Sequence, residues 1–258
     1  MILPLPGRPA LRAVLALLLG LAVACGTPSA DRKREAKARM EMGVTYLNQR
    51  NLPAAMRELT RASELDPDNS DVDMVFGLAY QARGDFDKAE EYFRDAIRKN
   101  PDSAEARNNL GQLLSRMGRG EEAIRQFRAA AENVLYPTPE YAYHNLGEEY
   151  ARRPDPPKAE AMYRRAIALN PRFPDPYLGL ARVLESGGRA EEAAGVLERC
   201  LEYLPAYAPV WMELGNVHAR AGRDGKARDA YRSALENSGD PEFRRKASEA
   251  MNRLRGGR

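Results

Sequence analysis

Small and apolar residues recur along this chain at a nearly constant interval, and the segments between them have the composition and spacing of helices. The clearest series is made of alanines, whose successive gaps are 34, 34, 36, 34 and 34 residues. The series is Ala55, Ala89, Ala123, Ala159, Ala193 and Ala227. A period of this length in an alanine-rich sequence predicts a stacked array of helix pairs rather than a globular enzyme fold.

Six repeats follow when each is started nineteen residues before its alanine. The predicted repeats cover 36–69, 70–103, 104–139, 140–173, 174–207 and 208–240. Position 8 is Gly in five repeats and Ala181 in the fifth, and position 24 is always bulky. Because small residues let helices approach closely, we expect position 24 to fill the space beside position 8. The segment 241–258 is predicted to be a capping helix and tail.

These positions resemble the tetratricopeptide repeat, whose consensus begins W-x₂-L-G-x₂-Y and ends near a proline. The sixth repeat carries Trp211, Leu214 and Gly215, with His218 in the place of the tyrosine. Proline or a nearby proline ends most repeats, because it cannot continue a helix. The resemblance implies an all-α, right-handed superhelix of six helix pairs, with turn glycines between the helices of a pair.

The third repeat is two residues longer than the others, in the stretch Val134–Pro139. Lengthening a loop costs little free energy, so the added residues could be a neutral insertion. Alternatively, the insertion shifts the superhelix or presents Tyr136 to a partner.

A helical wheel places positions 2, 5, 9, 12 and 13 of each first helix opposite its packing side, so these positions line the inner face of the array. In the first two repeats five apolar side chains occupy that face, where we expect a protein partner to bind. They are Met40, Val44, Leu47, Met74 and Leu78. The face becomes polar in the third repeat, where Asn108 and Gln112 extend the predicted site. The alternatives are that the N-terminal tether or a neighbouring helix covers these side chains, or that the wheel is out of phase.

Charge gives no reason to expect a nucleic-acid partner. The 258 residues carry a net charge of +3, and the basic excess nearly vanishes once Arg8 and Arg12 of the leader are set aside. A nucleic-acid-binding domain usually has a basic face.

The leader predicts export and a lipid anchor. Arg8 and Arg12 precede an uninterrupted run of twelve small or apolar residues, Ala13–Ala24. This run is too short to span a membrane, and its length is typical of a cleaved signal peptide. Cys25 then follows, as in a bacterial lipobox, so we expect 1–24 to be removed, Cys25 to be lipidated and 25–35 to form a flexible tether. Because Ala22–Ala24 is also an A-x-A cleavage site, secretion without a lipid is the alternative.

Candidate reactive groups are few. His218 is at a packing position, and His144 is on the inner face without a second histidine or cysteine near it in the pattern. Cys200 occupies a small-residue position, although a disulfide with Cys25 is an alternative if Cys25 is not lipidated. No zinc spacing, phosphate loop or nucleophile–base set is present, so we predict no catalytic or metal site, no cofactor, no small-molecule substrate and no enzyme activity.

Signal, cysteine, tether and six repeats together resemble the pilotin lipoproteins of type IV pili, the PilF/PilW/Tgl family. The segments that carry this resemblance are Tyr46–Asn51, Asn108–Gly111, Leu135–Pro137 and Asn145–Gly147. It implies a lipid-anchored protein on the periplasmic face of the outer membrane, which captures a secretin subunit and promotes assembly of the secretin ring. Gly26, rather than Asp, agrees with outer-membrane sorting. The alternative is a periplasmic adaptor for assembly of the cell wall or of outer-membrane proteins.

Overall fold

A computed structural model describes residues 29–153 and 155–256, and the predicted signal and Cys25 lie outside the described residues. Every regular element in the described ranges is a helix. The first helices of the six pairs, the A helices, are α1 (Ala30–Asn48), α3 (Ser70–Arg83), α5 (Ala104–Arg116), α7 (Pro139–Arg152), α9 (Pro174–Ser186) and α11 (Ala208–Arg220). The second, or B, helices are α2 (Leu52–Leu65), α4 (Phe86–Lys99), α6 (Gly120–Ala131), α8 (Pro156–Leu169), α10 (Ala190–Tyr203) and α12 (Asp224–Glu236), and α13 (Pro241–Gly256) follows them.

The predicted all-α architecture of six helix pairs and a capping helix is confirmed. Backbones of neighbouring A helices approach within 8 Å, whereas those of neighbouring B helices stay farther apart. The A helices therefore line the inner side of the curved array, as in other repeat superhelices. We call this side the helix-A face.

The small positions of the repeat let each pair close tightly. A methyl group placed on Gly147 would lie 2.6 Å from Tyr163 Cδ1, and one on Gly77 would lie 2.5 Å from Phe93 Cε1. The six alanines of the periodic series are all fully buried. In the repeats of Gly77 and Gly147, position 8 needs glycine because the bulky position 24 of the same repeat already occupies the space of a β-carbon, whereas the fifth repeat has Ala181 there.

Turns and caps explain where the helices begin and end. Side chains at N-cap positions accept hydrogen bonds from the first turn in several helices, such as Asp85 from Lys88 N at 3.4 Å. Four glycines between A and B helices have positive φ, among them Gly84 at 82°. Arg50 is at the same repeat position and also has positive φ, at 59°, where glycine would be favoured.

The predicted tether over 25–35 is wrong for its last residues, because α1 begins at Ala30. Ser29 caps this helix by accepting a bond from Arg32 N at 3.3 Å, and the Arg32 guanidinium donates to Glu64 O at 3.0 Å. Ala, Arg, Lys and Glu dominate this turn, and all four are good helix formers. This first turn of α1 is largely exposed, so its sequence has no apolar periodicity. The predicted start of the helix depended on that periodicity and was therefore placed too late.

The last helix, α13, covers the apolar end of the sixth repeat. Ala247 and Ala250 of α13 are buried against the sixth repeat, and Met251 and Leu254 pack partly against Tyr231. The same helix also carries charged, exposed residues, which are Glu242, Arg244, Arg245, Lys246, Glu249 and Arg253. This two-sided pattern is what a terminal repeat needs in order to keep its core from solvent.

Candidate functional site

The five predicted apolar side chains lie together on α1 and α3 and form what we call the N-terminal apolar surface. Its members are Met40, Val44, Leu47, Met74 and Leu78. Each is half-buried, with one side against the protein core and the other toward solvent on the helix-A face. The three from α1 pack on a small core cluster that includes Leu59 and Phe76. All five side chains are therefore less exposed than the sequence predicted, but none of them is completely buried.

A cavity of about 330 Å³ adjoins the far end of this surface. It is lined by Leu47, Arg50, Leu52 and Ala82, which come from both of the first two repeats. Arg50, the residue with positive φ, forms part of the wall of this cavity. The arrangement gives the N-terminal apolar surface a recess that an apolar side chain of a partner can fill.

In the third repeat the helix-A face becomes polar. Gln112 is exposed, as predicted, and lines a cavity of about 380 Å³ with Ser115, His144 and several charged residues. Within that cavity the Glu149 carboxylate accepts hydrogen bonds from both Ser115 and Arg152. The change from apolar to polar lining marks one boundary of the N-terminal apolar surface.

Asn108 does not extend the binding surface as predicted, because it is buried. Its amide oxygen accepts a hydrogen bond from Asn145 Nδ2 at 2.9 Å, which joins α5 to α7. A buried amide must be paired, and this one is paired within the array. Asn108 therefore fixes the stacking of the third repeat on the fourth.

Tyr136 is also buried, contrary to the prediction that the insertion presents it. It packs in the main core, and burial raises the pKa of its hydroxyl. The residues just before it, Val134 and Leu135, are instead 95% and 81% exposed. Sequence reasoning missed them, although two adjacent aliphatic residues in a connection were the available signal.

Ion pairs between neighbouring repeats occupy the helix-A face from the fourth repeat onward. Arg182 Nη2 lies 3.3 Å from Glu148 Oε1, and Arg220 Nε lies 2.5 Å from Glu185 Oε1. These arginines line a cavity of about 640 Å³ at the C-terminal end of the array. Such exposed pairs contribute little stability, and they neutralise charge along this part of the face.

Reactive chemistry is sparse in the described residues. His218 is buried, as its packing position predicted, and burial lowers its pKa; burial also lowers the pKa of His144, which lies 5.2 Å from the Phe173 ring centroid. Burial raises the pKa of the Cys200 thiol to about 11, so it stays protonated at neutral pH. No group of three or more potential metal ligands is found within the described part of the chain.

None of the described helices combines the length and the apolar character that crossing a membrane requires. The candidate site thus consists of the N-terminal apolar surface, the cavity beside Leu47 and the polar helix-A face of the third repeat. This geometry is that of a protein-interaction scaffold.

Comparisons with known proteins agree with this description. A model of the tetratricopeptide repeat matches residues 74–139, 144–208 and 193–241, which together make up more than half of the chain. The type IV pilus assembly protein PilF of Pseudomonas aeruginosa is 27% identical over 221 residues, which cover 81% of this chain and 82% of PilF. The cellulose synthase 2 operon protein C of Komagataeibacter xylinus is 28% identical over 230 residues, but these cover only 18% of that protein.

Solved structures of two type IV pilus proteins have a fold similar to that of this chain. The structure of P. aeruginosa PilF has a TM-score of 0.70 at 22% identity and covers 85% of this chain and 99% of PilF. The structure of PilW, described as a widely conserved type IV pilus biogenesis factor, has a TM-score of 0.71 at 26% identity. It covers 83% of this chain and 98% of PilW. The resemblance to the repeat proteins of type IV pilus biogenesis is therefore confirmed.

Proposed function

This chain belongs to the tetratricopeptide repeat family, and from that premise we propose that it acts as a pilotin. In this proposal Cys25 carries lipid that holds the protein on the periplasmic face of the outer membrane. The repeats bind a secretin subunit of the type IV pilus, bring it to that membrane and promote assembly of the secretin ring.

The N-terminal apolar surface is the observation that carries the proposal. From the fourth repeat onward several charged side chains of the helix-A face pair with one another, as Glu148 does with Arg182. On α1 and α3 this face offers five neighbouring apolar side chains with open sides. A surface of that kind on a soluble scaffold usually marks a partner site.

Methionines at two of its five positions suit a partner whose shape must be accommodated, because their side chains are unbranched and adaptable. Burying each side chain further could contribute up to about 1.5–3 kcal/mol before the costs of association are subtracted. An amphipathic helix, or an extended peptide with spaced apolar side chains, fits such a face. We assign this binding mode to the secretin segment.

The similar proteins support a role for this chain in type IV pilus biogenesis. PilF of P. aeruginosa is described as a type IV pilus assembly protein, and it aligns with most of this chain and with most of its own length. PilW, at 26% identity, is described as a pilus biogenesis factor. The secretin partner is what the resemblance to the pilotin family implies, and the outer-membrane anchor is inferred from that resemblance together with the leader sequence and Cys25.

Loss of this protein is expected to remove secretin multimers from the outer-membrane fraction, while secretin monomers remain detectable. Cys25→Ala should abolish incorporation of radioactive palmitate and restore few or no multimers, because the protein then lacks its anchor. The measurement is immunoblotting of fractionated membranes from the deletion strain complemented with each variant. Normal multimers in the deletion strain would refute the pilotin role and favour a more general adaptor.

A further inference from the structure

The large apolar side chains exposed in the described part of the chain are concentrated at one edge of the array. Six such side chains are exposed, and all except Met42 lie where B helices end or A helices begin. They are Val134, Leu135, Tyr141, Leu169 and Tyr203. Leu169 and Tyr203 are the last residues of α8 and α10, and Tyr141 is in the first turn of α7. We call this side of the array the B–A edge.

Hydrogen bonds between and within helix pairs join residues along the B–A edge. Asn133 Nδ2 donates to Asp102 O at 2.7 Å, which links the end of the third repeat to the end of the second. At the start of the array, Arg32 donates to Glu64 O near the end of α2. The first residues of α1 therefore lie on the same edge as the exposed apolar residues.

The position of Cys25 in the sequence relates this edge to a membrane. Cys25 is five residues before Ala30, the first residue of α1. At no more than about 3.6 Å per residue, those five residues span at most about 18 Å. A lipid on Cys25 would therefore keep the start of α1, and the edge to which it belongs, close to the bilayer surface.

Val134 and Leu135 are the most exposed members of this group, and the connection that bears them is held in place. Asn133 Oδ1 accepts from Leu135 N at 2.8 Å, Tyr136 N donates to Asn133 O at 3.1 Å, and Tyr136 itself is anchored in the core. The two aliphatic side chains thus project from a fixed loop. The charged residues beside them are Arg107 and the two acidic residues Asp102 and Glu132, so the surroundings are not basic.

We propose that the B–A edge lies on the lipid bilayer, with Val134 and Leu135 inserted among the lipid chains as a second point of attachment. The proposal rests on the proposed lipid anchor at Cys25. Transfer of two aliphatic side chains out of water favours this contact, and it needs no anionic lipid. The helix-A face would then remain open at the side of the attached protein, where a secretin subunit can reach it.

A fluorescence experiment tests the orientation without relying on acylation. The chain from residue 25, with Cys25→Ser and an N-terminal hexahistidine tag, is held on phosphatidylcholine vesicles that contain a nickel-chelating lipid. An environment-sensitive NBD fluorophore is attached at Leu135→Cys. The matched control is Ala221→Cys, an exposed position at the opposite edge between α11 and α12. Cys200 is fully buried, so the introduced thiol is the one that reacts.

On binding to vesicles, the label at position 135 is expected to shift to shorter wavelength and to be quenched by doxyl-labelled lipids. The label at position 221 should stay accessible to aqueous iodide. If the label at 135 remains in water on the vesicles, or is shielded only when a secretin subunit is added, the membrane contact is refuted. Failure of palmitate labelling would count against the anchor but would leave this readout unchanged.

Discussion

Replacing Met40 and Met74 together with glutamate is expected to weaken capture of the secretin subunit by at least about 100-fold. Both side chains are half-buried on the N-terminal apolar surface, so each new carboxylate can reach solvent in the free protein. In the complex that surface would be covered, and the carboxylates would lose water without gaining a partner. Losing two apolar contacts of up to about 1.5–3 kcal/mol each, together with the cost of desolvating two unpaired carboxylates, corresponds to a factor of about 100 or more in Kd.

The measurement is a binding titration of the purified secretin subunit, with circular dichroism to verify that the helices are intact. Met42→Glu is the matched control, because Met42 is on the same helix but is 42% exposed and is not part of the N-terminal apolar surface. The control should bind like the natural protein. A folded double variant with unchanged affinity would show that the secretin binds elsewhere.

Gly147→Val is expected to lower the free energy of unfolding by about 3 kcal/mol, at the upper end of the usual cost of overpacking a core. Even the first added carbon would lie 2.6 Å from Tyr163 Cδ1. The ring cannot move aside, because a β-carbon on Gly179 of the next repeat would lie 2.5 Å from Tyr163 Cζ. The Tyr163 hydroxyl also donates to Glu148 Oε1 at 2.7 Å, which fixes the far end of the side chain.

Urea unfolding followed by circular dichroism measures this effect. Gly195 offers a control, since it is also inside a helix but has open space around its α-carbon. Gly195→Ala should raise stability by about 0.5–1 kcal/mol through helix propensity alone. If Gly147→Val proves as stable as the natural protein, tight closure of each helix pair does not stabilise the array.

The sequence allowed the architecture to be predicted because each repeat imposes the same packing. The alanine at position 20 and the pairing of positions 8 and 24 depend on contacts within one helix pair, and these recur six times. Gly147 against Tyr163 could therefore be anticipated from spacing alone. Likewise, His218 was expected in the core because its repeat position is a packing position.

Asn108 and Tyr136 could not be placed in the same way. A helical wheel gives the direction of a side chain on its own helix, but not the distance to the next repeat. Asn108 is buried because α7 comes close enough for Asn145 to donate to it. Tyr136 belongs to a connection that departs from the period, so no repeat position indicated that it would pack inward while Val134 and Leu135 remained outside.

The most direct test of the central claim is site-specific photo-crosslinking in cells that assemble the pilus. A benzoylphenylalanine at Leu78, on the N-terminal apolar surface, should crosslink to the secretin subunit. The same group at Arg199, an exposed residue of the B helix α10, should not. Secretin crosslinks from position 78 alone would support the account, and crosslinks from position 199 without any from position 78 would contradict it.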